Sequence, residues 1–399
     1  MKRTQVLIAG AGPVGSVAAY ILAKAGIDVV LLESAPYCME DLRASTMHAA
    51  TLEMLSELGV VDKIIPQGLI APIYQYRDRA TQETFSFDLS EISDVTKFPY
   101  RLQCEQHKLA RTLTAMMAEM DNAEVLFSHR VVHFEQDQHS VTAAIETPFE
   151  IKHVQADYLI AADGANSIIR KWLGIDFSGF TYQEKFLTLS TAYPVEDHFE
   201  NLAYVNYVSD PEEWMVLLRV PELWRVQISC AHDSDDKQLV SDKTKNELFN
   251  RLLGNGAEIE TAHRTLYRVH QRVVPKYNHN RVLLIGDAAH LNNPLGGFGM
   301  NSGIHDAWNL CHKLLEILQE NAAAEPLLDR FDRQRRTVMN EFVQAQTMRN
   351  KKMMEAKSPA DRRAFRDQME ATYLDDEKRR EYLLTQSMIN SIQFAESIQ

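Results

Sequence analysis

Residues 281–313, RVLLIGDAAHLNNPLGGFGMNSGIHDAWNLCHK, are the part of the chain best suited to bind a charged or redox-active ligand. A short apolar run predicts a buried strand that ends at Gly286, and Asp287 follows directly. Pro294 then leads into a glycine-dense turn, and a helical pattern begins at Met300. Glycines let backbone amides approach a ligand, and a helix start adds unpaired N–H groups and partial positive charge. Such a site suits an anion, or a ring that becomes anionic when reduced; the plainer interpretation is a tight loop between strand and helix.

A second glycine cluster, GAGPVG at residues 10–15, lies between a predicted strand at 5–9 and a predicted helix that reaches Lys24. Another predicted strand follows, and Glu33 stands at its carboxyl end. This is the βαβ dinucleotide fingerprint: one glycine makes the turn, the next admits a pyrophosphate, and the third lets helix and strand pack closely. Glu33 is placed to accept hydrogen bonds from a ribose diol. The pattern predicts a bound adenine dinucleotide.

Three further segments could contribute to the same site. Asp163 and Gly164 follow a predicted strand, with Arg170 shortly after, and open α/β sheets place ligands at the carboxyl ends of strands. The alternative there is a plain strand-to-helix turn capped by Asp or Ser. Arg43, in the loop before a predicted helix, could pair with a pyrophosphate or be a solvated surface charge. Gln103, just before another predicted helix, could hold hydroxyl groups of a ligand.

The hydrophobic patterns predict an α/β protein with three parts. The first is a discontinuous Rossmann-like dinucleotide-binding domain, the second an inserted, mostly antiparallel β-sheet domain for the substrate, and the third a C-terminal helical region. In that order they comprise residues 1–72, 99–178 and 276–326; residues 73–98 and 179–275; and residues 327–399.

The composition of the chain argues against several classes of partner and site. The chain has 399 residues, 45% hydrophobic and 24% charged, which is ordinary for a soluble globular protein. Its net charge of -13 argues against a nucleic-acid partner, because no basic surplus can displace counterions from phosphates. Four dispersed cysteines without a CxxC pair predict neither a metal site nor a disulfide framework, and favour a reducing cytoplasm. The uncharged run at 4–23 is explained by the glycine cluster, so no targeting or transmembrane segment is expected. The charge runs at 333–336 and 375–380 are expected to be solvated helix faces.

The chain resembles the single-component FAD-dependent aromatic hydroxylases, the flavoprotein monooxygenase family of para-hydroxybenzoate hydroxylase. The resemblance covers most of the chain in order and length. It implies FAD as bound cofactor, NADPH or NADH as transient reductant, and O2 as co-substrate. The implied reaction is hydroxylation of a small phenolic or heteroaromatic molecule through a flavin hydroperoxide, without a metal or a side-chain nucleophile. A membrane-associated quinone hydroxylase is an alternative within this class, but residues from 327 onward lack an evident continuous apolar face, so no integral membrane association is expected. A homodimer is compatible with these expectations. The motifs that carry the resemblance are GAGPVG at 10–15, Glu33, Arg43, Gln103, ADGANSIIR at 162–170 and GDAAHLNNPLGGFGMNSGIHDA at 286–307.

The resemblance also implies roles for individual residues. One group would bind the ADP half, a second the ribityl chain, a third the isoalloxazine ring, and a fourth belongs to a motif linked with both FAD and NAD(P)H. These groups are, in order, Gly10, Gly12, Gly15, Glu33 and Arg43; Gln103 and Asp287; Leu295, Gly296, Gly297, Phe298, Gly299, Met300 and Asn301; and Asp163, Gly164 and Arg170. Pro13, Val14, Gly286 and Pro294 are further expected cofactor-binding residues.

The substrate side departs from the family pattern. Leu295 follows Pro294 where the best-known member has Thr, so one polar contact near the substrate ring is missing. No arginine is in register to pair with a substrate carboxylate; Arg219 and Arg225 are the nearby candidates, and a one-residue shift in a strand would reverse the face. Pro294, Leu295 and Gly296 are expected near the substrate.

The candidate catalytic residues are Tyr204, His290 and Pro294, of which Tyr204 and His290 are also candidate pocket residues. For His290, the alternative is a buried imidazole that is hydrogen-bonded to a backbone carbonyl. Other functions on the same fold are an epoxidase or a halogenase, although the halogenase segment WxWxIP does not occur. A different class would be an FAD-binding regulatory protein without turnover, which would show no substrate-stimulated NAD(P)H oxidation.

Overall fold

The computed structural model describes residues 2–40, 44–210, 213–254, 256, 258–355 and 358–399. Its strands are β1 Lys2–Ala9, β2 Val29–Glu33, β3 Thr46–Met47, β4 Leu69–Ala71, β5 Ile73–Asp78, β6 Thr84–Asp88, β7 Arg101–Gln103, β8 Ala123–Phe127, β9 Arg130–Gln136, β10 Val141–Glu146, β11 Ile151–Ala161, β12 Gly179–Thr191, β13 Val205–Ser209, β14 Met215–Arg219, β15 Trp224–Cys230, β16 His263–Val273, β17 Asn278–His279, β18 Val282–Leu284 and β19 His290–Leu291. Its α-helices are α1 Pro13–Lys24, α2 Ala49–Glu57, α3 Val61–Ile64, α4 Gln106–Met117, α5 Ile168–Trp172, α6 Asp236–Leu239, α7 Asp242–Leu253, α8 Phe298–Gln319, α9 Ala324–Thr337, α10 Ala345–Glu355, α11 Pro359–Leu374, α12 Asp376–Gln386 and α13 Ile389–Ser397.

The first sheet has the strand order β17-β18-β11-β1-β2-β8, and β10 and β9 extend it from β11. β1 is parallel to β2 and β11, and β11 is parallel to β18. The apolar residues of β1 are fully buried, as expected for a parallel strand covered on both faces. Ala9 pairs with Ala161, which pairs with Leu284, so three strands end side by side. The three predicted ligand-binding motifs begin directly after these residues and therefore meet at one edge of the sheet.

The Rossmann-like α/β fold is confirmed, with local corrections. The strand pattern of residues 125–162 is typical of a meander, but β8 is parallel to β2 and belongs to the first sheet. The helical pattern after Arg43 begins at residue 47 in the sequence, but α2 begins at Ala49 because Thr46 and Met47 pair with β7. Helix α8 begins at Phe298, two residues before the expected start, because Gly297 adopts the left-handed conformation that ends the turn.

The second sheet has the order β19-β16-β12-β15-β14-β13-β5-β6. Its strands are antiparallel except for the β13–β5 pair. A small third sheet, β3-β7-β4, joins chain segments between the two large sheets. One face of the second sheet packs with α7 in an apolar cluster, and the other, called here the inner face, faces the glycine turns.

The C-terminal helices pack against the rest of the molecule more closely than their charge runs suggested. Arg366 in α11 pairs with Glu83 at 2.6 Å. In α12, Arg379 pairs with Glu91 at 2.8 Å and Arg380 contacts Asp94. The expectation of a solvated face at 375–380 is therefore wrong for Arg379 and Arg380, which tie α12 to the segment after β6. The same expectation for 333–336 is wrong for Arg335, which is 1% exposed and pairs with Asp306 at 2.7 Å. Leu383 and Met354 bury apolar surface in the cluster beside the second sheet.

Candidate active site

A cavity of about 390 Å³ lies between the carboxyl edge of the first sheet and the inner face of the second. Helices α1 and α8 both begin at this cavity, so their unpaired backbone N–H groups and partial positive charges are directed toward it. Its lining residues are Gly12, Pro13, Val14, Ala44, Ser45, Thr46, Gln106, Ala162, Gly164, Ala165, Leu218, Gln227, Tyr267, Arg268, Val269, His270, Ile285, Asp287, Leu291, Asn292, Pro294, Gly297, Gly299 and Met300.

The first glycine turn is shaped by close backbone contacts. A Cβ on Gly15 would lie 1.9 Å from the carbonyl oxygen of Gly10, and a Cβ on Gly10 would lie 2.3 Å from that of Ala162. A Cβ on Gly12 would meet nothing within 4 Å, and Gly12 lines the cavity. Two glycines are therefore required for packing, whereas the third leaves open space for a ligand. Glu33 braces the turn by accepting a hydrogen bond from Ala11 N at 2.9 Å.

The second glycine turn is held by buried polar side chains. Asn301 donates to the carbonyl oxygens of Thr46 (2.8 Å) and Gly297 (2.7 Å), and its own oxygen accepts from Thr51 Oγ1 (2.7 Å). His48 Nε2 donates to Gly296 O at 2.8 Å. Burial lowers the pKa of His48 well below its ordinary range, so the imidazole is neutral. Asn301, assigned to the cofactor from the sequence, lies behind the turn and stabilises it.

Gly286 and Asp287 follow β18 in a short helical turn. The side chain of Val14 packs against Gly286, and Asp287 is exposed at the cavity wall. Below them, Asp306 in α8 accepts from Gly286 N (3.1 Å), His290 Nε2 (2.6 Å) and Arg335 Nε (2.7 Å). Burial alone would raise the pKa of Asp306. The charges and hydrogen bonds of His290 and Arg335 outweigh burial and hold this pKa below its ordinary value.

The third motif connects the other two. Asp163 Oδ2 accepts from Ile168 N at 2.9 Å at the start of α5, while Oδ1 is buried with no partner among the described residues. Burial raises the pKa of Asp163 despite these hydrogen bonds. Arg170 donates to the carbonyl oxygens of Ala165 (2.7 Å) and Ala288 (3.0 Å). Arg170 thus bridges two motifs, and the neighbouring Gly164 lines the cavity.

The residues present fit FAD. Two glycine turns that line one cavity, with open space at Gly12, suit a dinucleotide, and the start of α8 suits the pyrimidine side of a ring that becomes anionic when reduced. Gln103 accepts from Thr46 Oγ1 at 3.0 Å, and its buried Nε2 has no partner among the described residues, as a ligand-binding amide would. Arg43 lies outside the described residues, so its assignment stays a prediction.

The inner face of the second sheet forms the opposite wall. Leu218 and Gln227 line the cavity, and Arg225 shares their face because it pairs with Leu218 and lies two residues before Gln227. Arg225 Nη1 donates to Ser45 Oγ at 3.1 Å. Arg219 is on the opposite face, where its guanidinium lies 5.9 Å from the Trp224 ring centre. The structure therefore separates the two arginines and removes Arg219 from the cavity.

Two other predicted pocket residues, Tyr204 and His290, do not line the cavity. Tyr204 is 41% exposed, precedes β13 and does not line the cavity. His290 is 1% exposed and bound to Asp306, beneath the turn rather than in the cavity. Its partner is a carboxylate and not the backbone carbonyl considered from the sequence. Leu295 and Gly296 are behind the cavity wall, whereas Pro294 is part of it.

Sequence patterns alone missed several cavity residues. No role was predicted for Thr46, and Gln227 is one of three alternating polar residues on one face of β15, with Arg225 and Ser229. Gln227 could have been found by noting that it alternates with Arg225. His270 lines the wall beside Tyr267, and burial lowers its pKa, with Arg272 and Arg268 adding to the effect.

Comparison with known proteins agrees with this geometry. The FAD binding domain family matches residues 3–346. A para-nitrophenol 4-monooxygenase from Pseudomonas sp. (strain WBC-3) is 32% identical over 365 residues, covering 90% of this chain and 89% of the relative. A 6-hydroxy-3-succinoylpyridine 3-monooxygenase from Pseudomonas putida (strain DSM 28022 / S16) is 32% identical, covering 90% and 91%. The crystal structure of p-nitrophenol 4-monooxygenase from Pseudomonas putida DLL-E4 superposes with a TM-score of 0.92 at 28% identity and covers all of both chains.

The fold and cavity thus define a flavin-binding α/β protein. The chain belongs to the FAD binding domain family, and within it the chain is an FAD-dependent aromatic monooxygenase, a class reduced by NADH or NADPH. Among the described residues, no helix combines the length and apolarity needed to span a bilayer. The same residues contain no cluster of three or more His, Cys, Asp or Glu side chains arranged to hold a metal ion.

Proposed function

We propose that this enzyme hydroxylates a phenol or hydroxypyridine at the ring carbon para to the hydroxyl group, where that carbon carries a substituent that leaves. The proposal rests on the names of two relatives, each 32% identical to this chain. Both names place the new oxygen on a ring carbon that lies para to a hydroxyl group and carries a substituent. The first name places oxygen at position 4 of para-nitrophenol, the carbon that bears the nitro group. The second places it at position 3 of a 6-hydroxypyridine, the carbon that bears the succinoyl group and lies para to the hydroxyl.

The overall reaction balances with one reductant for each ring. For a nitro substituent, the phenol, O2, NAD(P)H and one proton give para-benzoquinone, nitrous acid, NAD(P)+ and water. One oxygen atom enters the ring, the substituent leaves with the electron pair of its bond to carbon, and the other oxygen atom becomes water. Bound FAD would supply the hydride acceptor and the site of oxygen activation.

The protein would bind and orient both molecules. Gly12, Gly297 and the start of α8 would hold the cofactor through backbone groups, and Gln103 and Asp287 would contact its ribityl chain. Leu218, Gln227 and Tyr267 would form the substrate wall. These three side chains are uncharged, so a flat aromatic ring can displace water from them. The proposal retains the domain boundaries inferred from the sequence, with residues 73–98 and 179–275 as the substrate-binding domain.

The test is NAD(P)H oxidation by the FAD-loaded enzyme with para-nitrophenol, meta-nitrophenol and phenol, with products identified by mass. We expect para-nitrophenol to stimulate oxidation most and to release nitrite with a quinone or hydroquinone. A nitrocatechol, which keeps the nitro group and gains one oxygen, would show attack beside the hydroxyl and contradict the proposed position. Tight FAD without stimulation by any compound would contradict turnover of this substrate class.

We also propose that the enzyme is a cytoplasmic homodimer. The described cysteines, Cys38, Cys104, Cys230 and Cys311, are all free, which suits a reducing compartment such as the cytoplasm. A homodimer is the proposed assembly, and light scattering on the FAD-loaded protein would check it.

A further inference from the structure

Arg101, in β7, is a buried cation without a counter-charge. It is 1% exposed, and no carboxylate pairs with it among the described residues, although the chain contains 55 acidic residues. Its Nη1 donates to the Tyr207 hydroxyl at 3.1 Å, and its guanidinium lies 4.1 Å from the Tyr74 ring centre. Its Nε and Nη2 are buried with no hydrogen-bond partner in the described structure. Burying an unpaired charge costs several kcal/mol, so these free donors point to an anion that binds there.

The groups around Arg101 can donate to such an anion but cannot replace it. Burial raises the pKa of Tyr74, Tyr76 and Tyr382 well above the ordinary value, so these hydroxyls stay protonated near neutral pH. Tyr382 in α12 donates to the Tyr76 hydroxyl at 3.1 Å, whereas the buried Tyr74 hydroxyl has no partner among the described residues. Tyr74 therefore adds another free polar group beside the unpaired guanidinium.

Arg101, Tyr74 and Tyr207 do not themselves line the cavity, but Tyr207 lies on the same face of the second sheet as residues that do. Gln227 lines the cavity and pairs with Val216, which pairs with Tyr207, so the three side chains share the inner face. Tyr76 stacks on Tyr207 with ring centres 4.9 Å apart, which extends this face to β5. On β7, Arg101 lies two residues before Gln103, whose partner Thr46 lines the cavity.

We propose that Arg101, with the hydroxyl groups of Tyr74 and Tyr207, forms the subsite that holds the anionic ring oxygen of the aromatic substrate. This inference rests on the proposed function, because it assigns the hydroxyl end of the phenol or hydroxypyridine. The substrate binds as its phenolate, and the hydroxyl proton is released to solvent. Charge-assisted hydrogen bonds from the guanidinium favour the ionised form. The ionised ring is richer in electrons and is therefore more reactive toward an electrophilic oxygen.

A second arginine shows what a purely structural arrangement looks like. Arg281 also lies over a tyrosine ring, 4.8 Å from the centre of Tyr158. Its guanidinium donates to the carbonyl oxygen of Gln138 at 2.7 Å and to that of Asp157 at 3.5 Å. Ring contact therefore does not require the donors to be left free, and Arg281→Gln is a matched control remote from the cavity.

The experiment uses para-nitrophenol as an optical probe of its own ionisation. It is bound to the FAD-loaded enzyme without NAD(P)H, so no turnover occurs, and difference spectra are recorded from pH 5 to 9. In the parent and in Arg281→Gln, the bound probe should ionise at lower pH than the free probe. In Arg101→Gln, this shift should be lost, and the phenolate should bind at least tenfold more weakly, whereas Arg101→Lys should restore part of the shift. Tyr207→Phe should also reduce the shift. This variant removes only a hydroxyl group, so it provides the test if Arg101→Gln does not fold.

An unshifted probe in the parent, a probe that does not bind above its free pKa, or equal shifts in the parent and in both Arg101→Gln and Tyr207→Phe would overturn the subsite. The proposed function fails by a separate criterion, namely the absence of nitrite and quinone at saturating substrate. A shifted probe without nitrite would keep the subsite and reject the reaction, and nitrite without a shift would do the reverse.

Discussion

The two walls of the cavity recognise their ligands in different ways. The wall at the edge of the first sheet presents mainly backbone, since Gly12, Gly297 and the starts of two helices face the cavity. The wall on the second sheet presents side chains such as Gln227 and Tyr267, which come from different strands. A wall made of backbone suits a cofactor that is the same in every enzyme of the class. A wall made of side chains can be altered by substitution, to fit a different substrate, without altering the fold. The flavin site and the substrate site can therefore vary independently.

The largest expected effect comes from filling the backbone wall. Gly15→Ala should abolish FAD binding and strongly reduce folded yield, because its Cβ would lie 1.9 Å from Gly10 O. Gly12→Ala is the matched control, since the same methyl group would meet no protein atom within 4 Å. We expect that variant to keep its melting temperature without FAD and to lose FAD affinity. Flavin fluorescence and thermal unfolding check both. Equal behaviour of the two variants would mean that packing and ligand approach are not separated in this turn.

The same contrast explains what could be predicted from the sequence. Backbone recognition depends on contiguous residues, so the glycine turns, Asp287 and the parallel sheet could be inferred from local patterns. The side-chain wall depends on which strands are neighbours and which face each residue occupies. Arg219 and Arg225 looked equivalent until strand pairing placed them on opposite faces. Nothing in the local sequence singles out Arg101, because the residues of α12 and β13 that surround it come from remote parts of the chain.

A second prediction concerns the support of the backbone wall. Asp306→Asn should destabilise the protein by about 3–5 kcal/mol, because it leaves Arg335 buried without its charged partner. Gly286 N also loses its charged acceptor, so FAD affinity should fall as well. Unfolding in urea and flavin fluorescence measure the two effects. Glu146→Gln, which removes an exposed ion pair with Arg130, should cause only a small fraction of that loss. A similar loss in both variants would contradict the supporting role.

The third prediction is a pH dependence of the same support. Burial lowers the pKa of His305 from 6.5 to about 3, and its Nε2 contacts Thr51 Oγ1 at 3.0 Å. The unfolded chain takes up this proton near pH 6.5 and the folded chain does not, so stability is lost as the pH falls from 6.5 toward 3. At pH 5 the loss from this group is about 2 kcal/mol. His305→Gln should reduce the fall in unfolding free energy between pH 7 and pH 5 by that amount, whereas the surface variant His153→Gln should not. Parallel pH curves for parent and His305→Gln would contradict it.

The smallest expected effect tests the side-chain wall by comparing its two faces. Arg225→Gln should raise KM about tenfold for substrates whose leaving substituent is acidic, because a charge-assisted hydrogen bond contributes roughly 1.5–3 kcal/mol. Arg219→Gln removes the same charge one strand away on the outer face and should leave KM unchanged. Neither variant should change flavin content, because the cofactor depends on the backbone wall. Steady-state kinetics with acidic and neutral substituents make the comparison. If both variants raised KM equally, long-range charge would matter more than the face of the sheet on which each arginine lies. If neither variant raised KM, the substrate would be held through its ring oxygen at Arg101 alone.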